Sequence, residues 1–165
     1  MEKKIPTFTP NNLNDERFLE TFSKISVDFI IVVAYGNLVN EEIIDHPKFL
    51  TINVHASLLP KWRGAAPVQR SILTGDTETG VTIMKVEKKL DAGPIINQKK
   101  VDIEDSCNKN ELSQKLTDVG IKLLVETIPL IFEKKISYSD QDDNDATYAN
   151  KISSLNRKIN FNKSV

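Results

Sequence analysis

The sequence predicts an α/β domain built on a mostly parallel sheet flanked by helices, and three observations carry that expectation. The run DFIIVVAY, Asp28 to Tyr35, is apolar on both faces, as a strand covered by helices on each side is. Strand-like runs alternate along the chain with helical segments instead of grouping together. A length of 165 residues with 39% hydrophobic content suffices for one domain with a core and is short for two.

The elements follow in order. An extended start, Ile5 to Phe8, gives way at Pro10 and the Asn-rich stretch Asn11 to Asn14 to a helix with Phe18, Leu19, Phe22 and Ile25 on one face. DFIIVVAY reads as a central strand ended by Gly36, and EEIIDHP as a short helical turn stopped before Pro47. A second strand is expected over Leu50 to His55. Residues Ala56 to Ala66 form a loop, and Pro67 suits the first turn of a helix closing at Gly75. Val81 to Val86 and Ile95 to Ile103 look like two further strands joined through the turn KKLDAGP. Asn108 and Glu111 have capping-box spacing, and Leu112, Leu116, Val119 and Leu123 mark an amphipathic helix running toward Pro129. The domain is taken as residues 1–138. The polar stretch 139–165, acidic then basic, reads as a linker or edge extension.

Composition excludes several classes of function. Lys and Arg total 22 against 23 Asp and Glu, so the net charge of −1 supplies no chain-wide attraction to nucleic acid or anionic membrane. The single cysteine, Cys107, has no partner for an internal disulfide and no metal-ligand neighbours in sequence. The expectation is a cytoplasmic protein with no metal. The apolar run Phe29 to Tyr35 is far too short for a membrane span, and no membrane association is expected.

The chemistry gathers around two segments. Strand side chains alternate between faces, so Asn53 and His55 in TINVHASLLP project to the same side. They offer an amide donor and a titratable imidazole, the parts that acyl transfer to an amine needs. Asp91 follows in a turn, where a carboxylate can orient the imidazole. The bland readings are a hydrogen-bonded structural pair at a strand end and a turn-forming Asp. Ser57 beside His55 lacks the Gly-x-Ser-x-Gly elbow of a serine hydrolase. His46, in a loop before Pro47, reads as a surface residue.

The string NVHASLLPKWRGAAPVQRSILTGDTETGVTIMKVEKKLDAGPII resembles the formyltransferase family that uses 10-formyltetrahydrofolate. The family pattern of Asn-x-His-x-Ser-Leu-Leu-Pro, a Gly, a helix, a Gly-Val-Thr strand and Asp-x-Gly in the next turn is met in order. The resemblance implies a Rossmann-like fold, with Asn53, His55 and Asp91 as the catalytic three. It also implies folate contacts along Ser57, Leu58, Leu59 and Pro60, and pterin-pocket walls from Tyr35 to Val39 and from Val86 to Asp91. Within the family, the run from Trp62 to Met84 and the stretch Thr147 to Ile152 are similar to the branch that formylates initiator methionyl-tRNA. Asp91-Ala92-Gly93-Pro94 instead resembles the wording of enzymes acting on small amines such as glycinamide ribonucleotide. Lys61 and Arg63, beside the motif, read either as contacts to acceptor phosphates or as charges of an ordinary solvated loop. The resemblance further implies a first strand, a Gly-containing loop and a helix upstream of the position of Ile5, and a C-terminal β-barrel domain. The expectation is therefore a partial catalytic domain with its first strands missing and an exposed sheet edge, as a transferase or as a non-catalytic folate-binding remnant.

Overall fold

The computed structural model describes residues 5–154 and 156. Helix α1, Glu16–Ser23, starts where the Asp15 carboxylate accepts from the backbone N–H groups of Arg17 and Phe18. Strand β1, Phe29–Val33, leads through a loop to the short helix α2, Glu41–Ile44, and then to β2, Leu50–His55. Helix α3, Pro67–Leu73, begins on its proline as expected. Strands β3, Glu78–Lys85, and β4, Ile95–Asp102, follow, and the long helix α4, Lys109–Phe132, completes the layer.

The sheet runs in the order β1-β2-β3-β4. The α/β layering expected from the sequence is present, but parallel pairing is confined to β1 and β2, and β2–β3 and β3–β4 pair antiparallel. The last pair follows from its connection, because a short turn returns the chain in the opposite direction. Strand β1, expected at the centre, lies at the edge of the described sheet, where Val33 is 60% exposed. Two-sided apolar character shows that a strand can be covered, and says nothing of which neighbour covers it.

Strand β3 is the best-covered element, with Thr79 to Met84 all buried. Helix α4 lies over this sheet and buries Leu112, Leu116, Gly120, Leu123, Thr127 and Ile131. These positions recur at intervals of three and four, the stripe of an amphipathic helix. Leu112, Leu116, Leu123 and Ile131 join Ile52, Val81 and Ile83 in one core cluster. At Gly120 the helix comes close to the sheet: a Cβ there would already touch Val54 and Val81. The capping box is formed in both directions, with the Asn108 side chain accepting from the N–H of Glu111, and the Glu111 carboxylate from that of Asn108. The helix passes Pro129 and ends a turn later at Phe132, whose ring packs on Phe29 and Phe49.

His46 is not a free surface residue. Its ring is half-buried against Phe22, and Nε2 lies 2.6 Å from the carbonyl oxygen of Ile25. The stretch from Ser139, expected as a linker or an edge extension, returns to the domain. Ser139 and Ile95 exchange two backbone hydrogen bonds, and the chain then lies along the loop before α3. The basic end of the tail, from Arg157 onward, falls outside the described residues.

Replacing Asn108 by Ala removes the acceptor at the start of α4 and is expected to lower stability by about 1 kcal/mol. The measurement is the urea midpoint at unchanged slope. An unmoved midpoint would show that the cap contributes nothing.

Candidate active site

Strand β2 ends at His55, and its side chains at Asn53 and His55 reach the same cleft edge. Asp91 meets them from the turn between β3 and β4, 38 residues on from Asn53. The Asn53 amide donates to Asp91 Oδ1 at 3.1 Å, and the backbone N–H of Gly64 donates to Asp91 Oδ2 at 2.8 Å. His55 Nδ1 stands 3.7 Å from Asp91 Oδ2, an ion-pair distance and too long for a hydrogen bond. The other ring nitrogen, Nε2, lies 2.9 Å from the carbonyl oxygen of Trp62, and the ring is 6% exposed. The three residues singled out in the sequence therefore converge. Gly64, whose backbone N–H completes the carboxylate's environment, carries no side-chain signal that could have announced it.

The trio sits at the edge of a cleft of about 530 Å³. Its walls include the loop from Tyr35 to Val39 after β1, and Val86, Glu87 and Leu90 of the turn before Asp91, stretches that the resemblance gave as pterin-pocket walls. The cleft also extends along α4 to Gly120 and Leu124, a wall not expected from the motifs. Ser57, Leu58, Leu59 and Pro60 lie elsewhere: none of the four lines this cleft. Ser57 and Leu59 are buried, the Ser57 hydroxyl donates to the carbonyl of Lys61, and Leu58 covers Gly80. Thr82 Oγ1 donates to the Ser57 carbonyl and accepts from the N–H of Leu59, so the segment is fastened to β3. Its evident structural effect is to fix the path of the loop that follows His55.

Arg63 does not reach outward toward phosphate. It is 1% exposed, with Nε donating to Gln141 Oε1 at 3.0 Å and Nη1 to Asp143 Oδ1 at 2.8 Å. A guanidinium is buried only when such partners replace water. Lys61 remains exposed. Asp143 also accepts from Lys89, and this bond, with that from Arg63, holds its carboxyl below the usual carboxylate range. Because that group is depressed, its pairing persists above the ordinary carboxylate range and is lost only as the pH falls through a still lower value.

Three non-glycine residues with positive φ border this region: Ala34 at 51°, Trp62 at 61° and Asp91 at 46°. Such conformations cost of the order of 1 kcal/mol or more each and persist where surrounding contacts enforce them. Trp62 is held by its indole N–H on Asp76 and its backbone N–H on Thr147 Oγ1. Among the described residues no group of three or more His, Cys, Asp or Glu is placed to hold a metal ion, and no helix is long and apolar enough to cross a membrane.

An amide, an imidazole and a carboxylate gathered in the lining of a largely apolar cleft, in an α/β domain with its sheet flanked by helices, are the kinds of group that acyl-transfer enzymes use. The family model for formyl transferases matches residues 1–128, and the chain belongs to that family. It is 42% identical over 98% of its length to the methionyl-tRNA formyltransferase of Bartonella henselae, and 43% identical over 99% to that of Staphylococcus aureus. The chain spans about half the length of these curated relatives, 52% of each. Among solved structures it is similar to the formyltransferase PseJ from Anoxybacillus kamchatkensis, in complex with UDP-4,6-dideoxy-4-formamido-L-AltNAc and tetrahydrofolate. That likeness has a TM-score of 0.66 and 35% identity, covering 74% of this chain and 64% of that one.

Gly64 has φ at +116°, and a Cβ there would lie 3.0 Å from the carbonyl oxygen of Ala149. Gly64→Ala is expected to cost about 1–3 kcal/mol through this backbone conformation, read as a lower melting temperature. A variant as stable as the original would contradict the placement of this loop.

Proposed function

We propose that this chain carries the formyl-transfer site of a methionyl-tRNA formyltransferase, moving a formyl group from 10-formyltetrahydrofolate to the amine of initiator methionyl-tRNA in the cytoplasm. The observation that carries the reading is the Asp91 carboxylate gathered with Asn53 and His55 at the cleft edge. The names of the curated relatives support the choice of amine, and the tetrahydrofolate bound by PseJ supports the donor. A cleft with largely apolar walls and the Asn53, His55 and Asp91 group in its lining suits a flat heteroaromatic ring system that carries a reactive group.

In this reading the neutral α-amine attacks the formyl carbon, and negative charge develops on the formyl oxygen. Asn53 Nδ2 carries two hydrogens, one directed to Asp91 and one left to donate to that oxygen. His55 Nδ1, which takes part in no hydrogen bond among the described residues, is the ring nitrogen left to face the reacting carbonyl. Asp91 receives the proton shed by the amine. The new C–N bond forms in that attack, the bond from the formyl carbon to N10 of the folate breaks as the carbonyl re-forms, and the proton ends on N10. No side chain is acylated along this route.

A second reading, transfer to a small amine such as a nucleotide-linked amino sugar or glycinamide ribonucleotide, is favoured by the likeness to PseJ and by Asp91-Ala92-Gly93-Pro94. Parallel assays with charged initiator tRNA and with such amines separate the two, and activity on a small amine alone would displace the tRNA reading. Binding of a folate analogue in calorimetry without turnover on any of them would leave a folate-binding protein.

His55→Ala and Asp91→Ala are each expected to lower kcat by about 10²–10³, the range for loss of a group acting on the transition state, with circular dichroism unchanged. A near-full rate in either variant would refute the assigned roles.

A further inference from the structure

We propose that Gln141 is a positioning residue for Asp91, its side-chain amide tying together the two loops that form the site; the proposal rests on the reading of Asp91 as the catalytic carboxylate. Gln141 Nε2 donates to the backbone carbonyls of Asp91 at 3.0 Å and Gly93 at 2.7 Å, while its Oε1 accepts from Arg63 Nε at 3.0 Å. The first two bonds hold the turn that presents the carboxylate. The third holds the loop whose Trp62 carbonyl meets the His55 ring and whose Gly64 N–H meets the carboxylate itself. All the hydrogen-bonding atoms of one amide are thus spent on linking segments that lie 78 and 50 residues from it in the chain.

Two further observations place the demand for such a link here. Asp91 has a positive φ, which surrounding contacts must hold, and Gln141 grips the carbonyl of that same residue. Gln141 itself stands on a fastened strip of chain. Arg63 N–H donates to the Thr147 carbonyl, the N–H of Ala149 donates to the Arg63 carbonyl, and Arg70 donates to that of Asn150. Asp143, on the same strip, binds both Arg63 and Lys89, one residue from each loop. The stretch after Ser139 therefore acts on the site as a strap, and Gln141 is the point where the strap reaches Asp91.

Two substitutions test this. Gln141→Glu keeps an acceptor for Arg63 and removes the donor to the two carbonyls, and Gln141→Ala removes both. The readouts are formyl-transfer kinetics, the melting temperature and the amide proton signal of Gly64 in a ¹⁵N-labelled sample. That signal reports the hydrogen bond to the Asp91 carboxylate whether or not the protein turns over. Both variants are expected to lose about ten-fold to a hundred-fold in kcat, with the KM for 10-formyltetrahydrofolate little changed, and to shift the Gly64 signal upfield. In an Asp91→Asn background, Gln141→Glu is expected to add little to either readout, because the two residues act as one unit. If Gln141→Ala does not fold, Gln141→Glu alone is read. An unmoved Gly64 signal in folded Gln141→Glu, or a loss of rate that only follows a loss of folded protein, overturns the proposal. If the unmutated protein transfers no formyl group, the functional reading fails while the Gly64 signal still decides the positioning role.

Discussion

The arrangement of the site depends on the hydrogen bonds that Asp91 receives. Its carboxylate accepts from Asn53 on β2 and from the backbone of Gly64, and it stands beside His55. Three stretches of chain meet at one group, so each must arrive at a fixed angle. A carboxylate kept from water needs donors on its oxygens, and this one finds them in the Asn53 amide and the Gly64 N–H. The pairings that hold the acid therefore also set the spacing of the site.

The sheet supplies the rigid side of this arrangement. Strand β3 is buried along Thr79 to Met84, and β2 pairs with it antiparallel, with His55 opposite Thr82. Thr82 in turn holds the Ser57 and Leu59 backbone, and Gln98 on β4 donates both to Thr82 Oγ1 and to the Leu59 carbonyl. The loop after His55 thus leaves the sheet along a path set by buried hydrogen bonds. Gly80 permits that closeness, since a Cβ there would collide with Leu58 and with the carbonyl of Lys99.

Much of this was legible in the sequence, for reasons that can be named. The bounds of β2 follow from its apolar run, and the alternation of a strand places Asn53 and His55 together. The α4 stripe and its capping box are local patterns, and they appear where the pattern put them. What escaped was set by distant partners. The edge position of β1 depends on which strands pair with it, which its own residues do not encode. Arg63 reads as a solvated charge until Gln141 and Asp143, far along the chain, are seen to close on it. The polar run around Gln141 has no periodicity, because side chains that bond to backbone carbonyls elsewhere need no repeat.

The proposed transfer uses no covalent nucleophile, which leaves geometry as its main resource. Donors aimed at a developing charge help only if they are in place before the charge appears, so under the proposed mechanism stiffness at Asn53, His55 and Asp91 would be part of the chemistry. The strained backbone at Trp62 and Asp91 fits this view, because each lies where a carbonyl or a carboxylate must be turned toward its partner. Trp62 turns its carbonyl to His55 while Asp76 and Thr147 hold the residue from outside. Asp91 turns its carboxylate inward while its own carbonyl is held from the opposite side. In both cases an unfavourable local conformation is maintained by contacts from remote chain, and the residue so held is one whose carbonyl meets His55 or whose carboxylate meets Asn53 and Gly64.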